Sequence, residues 1–299
     1  MPGGTASHHR AHGPRPVAAV GGRGHDTGTV NDITLIVTDL DGTLWHTDDE
    51  VHPRTVAALH ALEAAGVPLL VATGRRTTAA RAPLARLGLA PAAIVLNGAL
   101  GLDLATGERF HCSPFATGDA TRVLAGFLRA GLEPCVYVDH PDVEVYLGER
   151  PSTHPQHRAR LQSTAAPADL RWVCAEVPVL AFGIIGIPHG RLLPAVAQLE
   201  PDAEVHLDRS LDHPGMASLT VAPRRQSKWD GVLAYCRRHG IHPGGVAAIG
   251  DGPNDVELLS NAAVSLVPEP AHPAALEHAD RVIASPLDGG WADVLDLVG

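Results

Sequence analysis

The chain has 299 residues, enough for one large or two ordinary domains around a sizeable buried core. Apolar residues make up 45% and charged residues 19%, a globular rather than a disordered balance, and the net charge of −10 argues against a general nucleic-acid binder, which needs a basic face. No apolar run approaches the roughly 18 residues of a membrane span, and the four cysteines (Cys112, Cys135, Cys174, Cys236) form no CxxC pair, so a membrane protein, a zinc ribbon and a dense disulfide framework are excluded and buried cytosolic thiols are expected.

Residues 1–31 contain glycine, histidine and proline but no Leu, Ile or Phe, and read as a disordered tail. The stretch lacks the apolar centre of a secretory signal, so a cytoplasmic protein is expected, and it also fits an over-extended gene start. His8, His9 and His12 can hold a metal, but a solvated polar tail is the expectation. From Ile33 the pattern changes. ITLIVTDL (33–40) is a β-branched apolar run ending in acids, a buried parallel strand. PRTVAALHALEAAG (53–66) opens on proline and stops at glycine, as a helix does. VPLLVATG (67–74) predicts a strand, TTAARAPLARLG (77–88) a helix and AAIVLNG (92–98) a third strand. This alternation predicts a doubly wound α/β sheet.

Alternation resumes with a helix over 227–240, a strand over 245–251 and a helix over 254–262. Short strands over 263–267 and 280–284 flank a helix over 274–279. Between the two halves lie hairpin-like strands (134–139, 144–149, 179–187, 216–222) and helices over 119–131 and 190–200. The predicted organisation is therefore a core of residues 32–100 and 223–299, with an α+β domain, 101–222, inserted after the third strand.

Ligands of such sheets bind at the carboxyl ends of the strands, so the polar residues there carry the chemistry. The first strand ends in Asp39-Leu40-Asp41-Gly42-Thr43-Leu44, two carboxylates that can face one cavity or, in isolation, form an ordinary Asp-Gly turn. Thr73-Gly74-Arg75 sets a hydroxyl and backbone amides at a helix start, suited to a phosphate oxygen or to a plain helix cap. Gly250-Asp251-Gly252-Pro253-Asn254-Asp255 places two acids four apart, able to hold a hard cation or to cap a loop. Of the basic residues only Lys228 is lysine, which by itself fits an accident of drift or a task that needs a compact point charge. Together these parts fit one reaction. A carboxylate nucleophile needs its charge masked by a cation and an ammonium before it meets a phosphoryl group. A second carboxyl group must protonate the leaving oxygen and then activate water.

DLDGTL, ATGR, the single lysine and GDGPND resemble the four motifs of the haloacid dehalogenase superfamily. Asn97-Gly98-Ala99, the long insert and the segment ADRVIASPLDGGWADVL (279–295) are similar to its Cof-type branch, type IIB, which includes sugar phosphatases. The resemblance covers residues 33–299. It implies a Rossmannoid core with an α+β cap, and a cytoplasmic Mg²⁺-dependent phosphatase acting on a small phosphorylated metabolite, most simply a sugar phosphate. By position it implies Asp39 as the nucleophile that becomes phospho-aspartate and Asp41 as the general acid/base. Mg²⁺ would be held by Asp39, the Asp41 carbonyl and Asp251, with Asp255 supporting from behind. Thr73, Gly74, Lys228 and Asn254 would bind the phosphoryl oxygens. Where the family usually has a Gly-Asn-Ala turn, this chain has Val267-Pro268-Glu269-Pro270. Arg224 and Arg225 can grip a second anionic group or lie in solvent, and Trp45 and His46 can line the entrance, with Trp45 equally suited to packing. The alternatives are a phosphomutase of the same superfamily, a phospho-acceptor regulator, which the insert argues against, and a non-catalytic binder, which the intact acids argue against.

Overall fold

The computed structural model describes residues 32–46, 50–140, 142–161, 163–199, 203–209 and 215–298. The tail and its histidines His8, His9 and His12 lie outside the described residues. In chain order come β1 (Leu35–Thr38), α1 (Pro53–Ala64), β2 (Leu69–Ala72), α2 (Thr77–Arg86) and β3 (Ala92–Val95). Next are β4 (Leu100–Asp103), β5 (Arg109–Cys112), α3 (Thr117–Arg129), β6 (Cys135–Val138) and β7 (Val145–Leu147). Then follow α4 (Pro155–Leu161), β8 (Ala165–Pro167), α5 (Leu170–Glu176), β9 (Val179–Ile187), α6 (His189–Leu199), β10 (Glu204–Arg209) and β11 (Ala217–Ala222). The chain closes with α7 (Lys228–His239), β12 (Val246–Ile249), α8 (Val256–Asn261), β13 (Val264–Pro268), α9 (Pro273–Leu276) and β14 (Arg281–Ile283).

Among the described residues two sheets form. The larger has the order β14-β13-β12-β1-β2-β3-β4-β5, parallel from β14 to β3 and antiparallel over its last two strands. Both faces of its parallel strands are covered, and strand parity decides which side each residue joins. Leu35 and Val37 of β1 pack with Trp229, Val232 and Tyr235 of α7, whereas Ile36 packs with Leu59 and Leu62 of α1. Each such buried Leu contributes about 1.5–3 kcal/mol relative to exposure. The expected doubly wound α/β core is therefore present.

The smaller sheet has the order β10-β11-β9-β6-β7-β8. One face carries α3, α5 and α6 over a core that includes Phe127, Phe182 and Leu192. Residues of its other face, Tyr137 and Ala181, pack in the same apolar cluster as Leu40, Leu44 and Trp45 of the segment after β1. A polar contact joins the two sheets as well: the Arg76 guanidinium pairs with Glu144, whose other oxygen accepts from the Thr78 amide at 2.8 Å.

At the expected start of the insert, β4 and β5 extend the larger sheet. Leu96, Asn97 and Gly98 all have positive φ, at 52°, 55° and 107°, and reverse the chain directly after β3, so that Leu100 pairs with Val95. The short elements α4, α5, β8 and β10 were not anticipated, since three to seven residues carry too little periodicity to read. Cys135, Cys174 and Cys236 are buried as expected, but Cys112 is exposed. No helix among the described residues is long and apolar enough to cross a membrane.

Candidate active site

The register of β1 aligns Thr38 with Ile249 of β12 and Val71 of β2, so the residues after these strands meet at one edge. Asp39, Thr73 and Asp251 follow there. The Asp39 backbone is fixed from both sides, its amide donating to the Ile249 carbonyl at 2.9 Å and its carbonyl accepting from the Thr38 hydroxyl at 2.7 Å. That hydroxyl in turn accepts from the indole N–H of buried Trp291 at 2.9 Å.

Lys228 opens α7, where the Asp230 carboxylate accepts from both the amide and the hydroxyl of Ser227 at 3.0 Å and so fixes the helix start. Its side chain is wholly buried, and Nζ donates to Asp39 Oδ1 and to Asp255 Oδ1, each at 2.7 Å. An ammonium has three donors, so one remains for a further acceptor. Burial alone would lower the Lys228 pKa, but Asp255 and Asp39 outweigh it and raise it, so the ammonium stays charged. Asp255 is fully buried and engaged on both oxygens, because Oδ2 accepts from the Asp251 and Gly252 amides at 3.1 and 2.9 Å.

Asp251 accepts from the Thr43 hydroxyl at 2.7 Å. Burial pushes its carboxyl up to about 6, with the Thr43 hydrogen bond opposing and the Asp255 charge reinforcing. Burial also raises Asp39 well above the usual carboxylate range, against the pull of Lys228. The loop after Asp39 reaches this place only through Gly42, whose φ is +79° and whose Cβ, were there one, would lie 2.3 Å from Asp251 Oδ2.

Asp39, Asp251 and Asp255 each offer a carboxylate oxygen within 4.8 Å of the others. The donors are all oxygen and carboxylates outnumber cations, which fits a hard divalent ion rather than zinc or copper. Since both Asp255 oxygens are already taken by N–H donors, its place is behind Asp39 and Asp251.

The remaining expected residues divide. Thr73 is buried and its hydroxyl accepts from the Arg75 amide at 3.1 Å, with Gly74 exposed beside it. Asn254 donates to Asn97 Oδ1 at 3.0 Å, which ties the loop after β12 to the loop after β3. Asp41 points to Arg75, which binds it through Nε at 2.7 Å and through a second guanidinium nitrogen. Arg224 and Arg225 are exposed, as is His46, whereas Trp45 is fully buried. The sequence reading missed three contributors: Thr43, the Arg75 side chain and Asn97. Thr43 and Arg75 stand inside the quoted motifs, and their side-chain partners are 208 and 34 residues away. A cavity of about 460 Å³ lies at the other ends of β2 and β3, between α1 and α7, and contains none of these acids.

Fold and site together place a cluster of buried acids and one lysine at the carboxyl ends of a doubly wound sheet. The model of the haloacid dehalogenase-like hydrolases matches residues 36–295, and the chain belongs to that family. It is 25% identical over 272 residues to the phosphoglycolate phosphatase of Methanopyrus kandleri, covering 88% of this chain and 95% of that one. A haloacid dehalogenase-like hydrolase of B. subtilis superposes with a TM-score of 0.72 at 19% identity, over 88% of this chain and 99% of the other. A sugar phosphatase of subclass IIB superposes with a TM-score of 0.70 at 20% identity, over 88% and 98%.

Proposed function

We propose that the protein is a Mg²⁺-dependent phosphatase that hydrolyses a small phosphomonoester, a sugar phosphate, through a phosphorylated Asp39. In this reading residues of the larger sheet perform the chemistry and the smaller sheet caps the site. The observation that carries it is the buried Lys228 ammonium, 2.7 Å from both Asp39 and Asp255. A buried carboxylate held against a charged lysine, with a donor to spare, is built to meet a third anionic oxygen.

An Asp39 oxygen attacks phosphorus, the bond from phosphorus to the leaving oxygen breaks, and Asp41 delivers a proton to that oxygen. Asp41 then takes a proton from water as the water oxygen attacks phosphorus, releasing phosphate and restoring Asp39. Throughout, Lys228, the Thr73 hydroxyl, the Gly74 amide and Asn254 hold the phosphoryl oxygens, and the transfer needs little more than position and compensating charge. Asp39, the Asp41 carbonyl and Asp251 would hold Mg²⁺, which offsets charge between carboxylate and phosphate when bound.

Phosphate release across sugar phosphates, nucleotides and cofactor phosphates tests this, with Asp39→Asn as control. Turnover is expected for at least one sugar phosphate, lost in Asp39→Asn and in EDTA and regained with Mg²⁺. Full activity in chelator, or in Asp39→Asn, would overturn the mechanism. An isomerised sugar phosphate in place of free phosphate would make the protein a mutase.

A further inference from the structure

Trp45 follows the DLDGTL motif and has so far no task beyond packing. It is fully buried, yet its indole N–H donates to Asp41 Oδ1 at 3.0 Å. The chain brings it there by folding back on itself: the Gly42 amide donates to the Trp45 carbonyl at 2.8 Å, and the Trp45 amide donates to the Leu40 carbonyl. The Arg75 guanidinium lies over the indole ring, 5.0 Å from its centroid, and reaches the same carboxylate with two nitrogens. A further Arg75 nitrogen donates to the Ala79 carbonyl at 3.2 Å, which ties the fork to α2. Asp41, Trp45 and Arg75 thus form a closed triangle in which each side is a contact.

A carboxylate offers about four acceptor sites. In Asp41, Oδ1 receives the indole and one guanidinium N–H, and Oδ2 receives Arg75 Nε, so among the described residues three sites are used. The one left is on Oδ2. We propose that Trp45 and Arg75 are the positioning residues of Asp41: they fix its carboxylate so that Oδ2 alone exchanges the proton with the leaving oxygen. The ring of Trp45 holds the guanidinium flat, and the fork then meets the carboxylate edge-on, a match that a lysine cannot make. This rests on Asp41 being the general acid of the proposed reaction.

The test compares kcat/KM, which reports phosphoryl transfer to Asp39, for the best alkyl phosphate substrate and for p-nitrophenyl phosphate. Nitrophenolate leaves without a proton, so loss of a positioned acid slows only the alkyl substrate. Trp45→Phe keeps the ring and removes the N–H, while Arg75→Lys keeps the charge and removes the fork. Each is expected to lower kcat/KM for the alkyl phosphate by about tenfold or more, a part of the roughly 10²–10⁴-fold acid–base contribution, and for the aryl phosphate by less than about threefold. Added to Asp41→Asn, Trp45→Phe should cost nothing further, because the two residues act through one group. Equal losses on both substrates, or an additive loss in the double variant, would reduce Trp45 to packing and overturn the proposal. Failure of the underlying reading looks different, since Asp41→Asn alone would then show no preference between the two leaving groups. Thermal melts of both variants separate catalytic loss from unfolding. Should Trp45→Phe fail to fold, Arg75→Lys decides the outcome by the same comparison.

Discussion

Lys228 has two jobs at once. It offsets two carboxylates that would repel each other in a buried site, and these two bonds leave one of its three N–H donors for a further acceptor. Arginine would preserve the charge, but its planar fork cannot stand in a pocket whose two acceptors both lie 2.7 Å from a single atom. Lys228→Arg is therefore expected to lower kcat/KM by about 10²-fold or more, the scale of one lost electrostatic donor. Wild-type activity in that variant would make the lysine a bystander. Trp45 and Arg75 stand in the same relation to Asp41 as Lys228 does to Asp39, except that they hold orientation rather than mask charge.

At the level of elements, the site depends on loops after β1, β2, β3 and β12 being brought to one place. A tight junction lies between the turn after β3 and the start of α7. Gly98 has φ +107°, and a Cβ there would sit 2.1 Å from the Ser227 carbonyl oxygen, the residue directly before Lys228. Backbone meets backbone at this point, so no side chain can swing away to relieve the contact. Gly98→Ala is expected to destabilise the fold by at least about 2 kcal/mol, combining a strained φ with the displacement of a helix start. Chemical denaturation reads the stability, and kcat reads the shift of Lys228. A variant with unchanged midpoint and turnover would show that the junction is slack.

For the whole molecule, the excess of carboxylates makes stability depend on pH and metal together. Asp251 is pushed up to about 6, so between the ordinary carboxylate range and that pH the folded chain binds a proton that the unfolded chain does not. Its contribution to metal-free stability therefore falls as pH rises through this window and stays lost above it. Burial raises Asp39 in the same direction. Asp251→Asn should thus gain more stability over wild type at pH 7.5 than at pH 4.5. In the proposed site Mg²⁺ would have to displace this proton, so its stabilisation of the wild type should be larger at pH 7.5 than at pH 5, as melts with and without the ion would show. A metal shift equal at both pH values would count against Asp251 as a ligand.

Chemistry was legible in the sequence wherever it sits on local pattern. The alternation of short apolar runs with amphipathic segments set the doubly wound core, and Asp39, Asp41, Asp251 and Lys228 stand out as candidates because strand ends and a lone lysine are one-dimensional signals. What the chain order could not reveal is which side chains meet. The partner of Thr43 is 208 residues away and that of Asn254 is 157 away, and their pairing follows from sheet order, which no local window encodes. The same holds for β4 and β5. Their residues read as the start of the insert, and only the reversal at Leu96–Gly98 assigns them to the larger sheet. Trp45 shows the division most sharply. By sequence it fits the site entrance and packing equally, and the fold decides between these by burying its ring completely while turning its one polar atom onto Asp41.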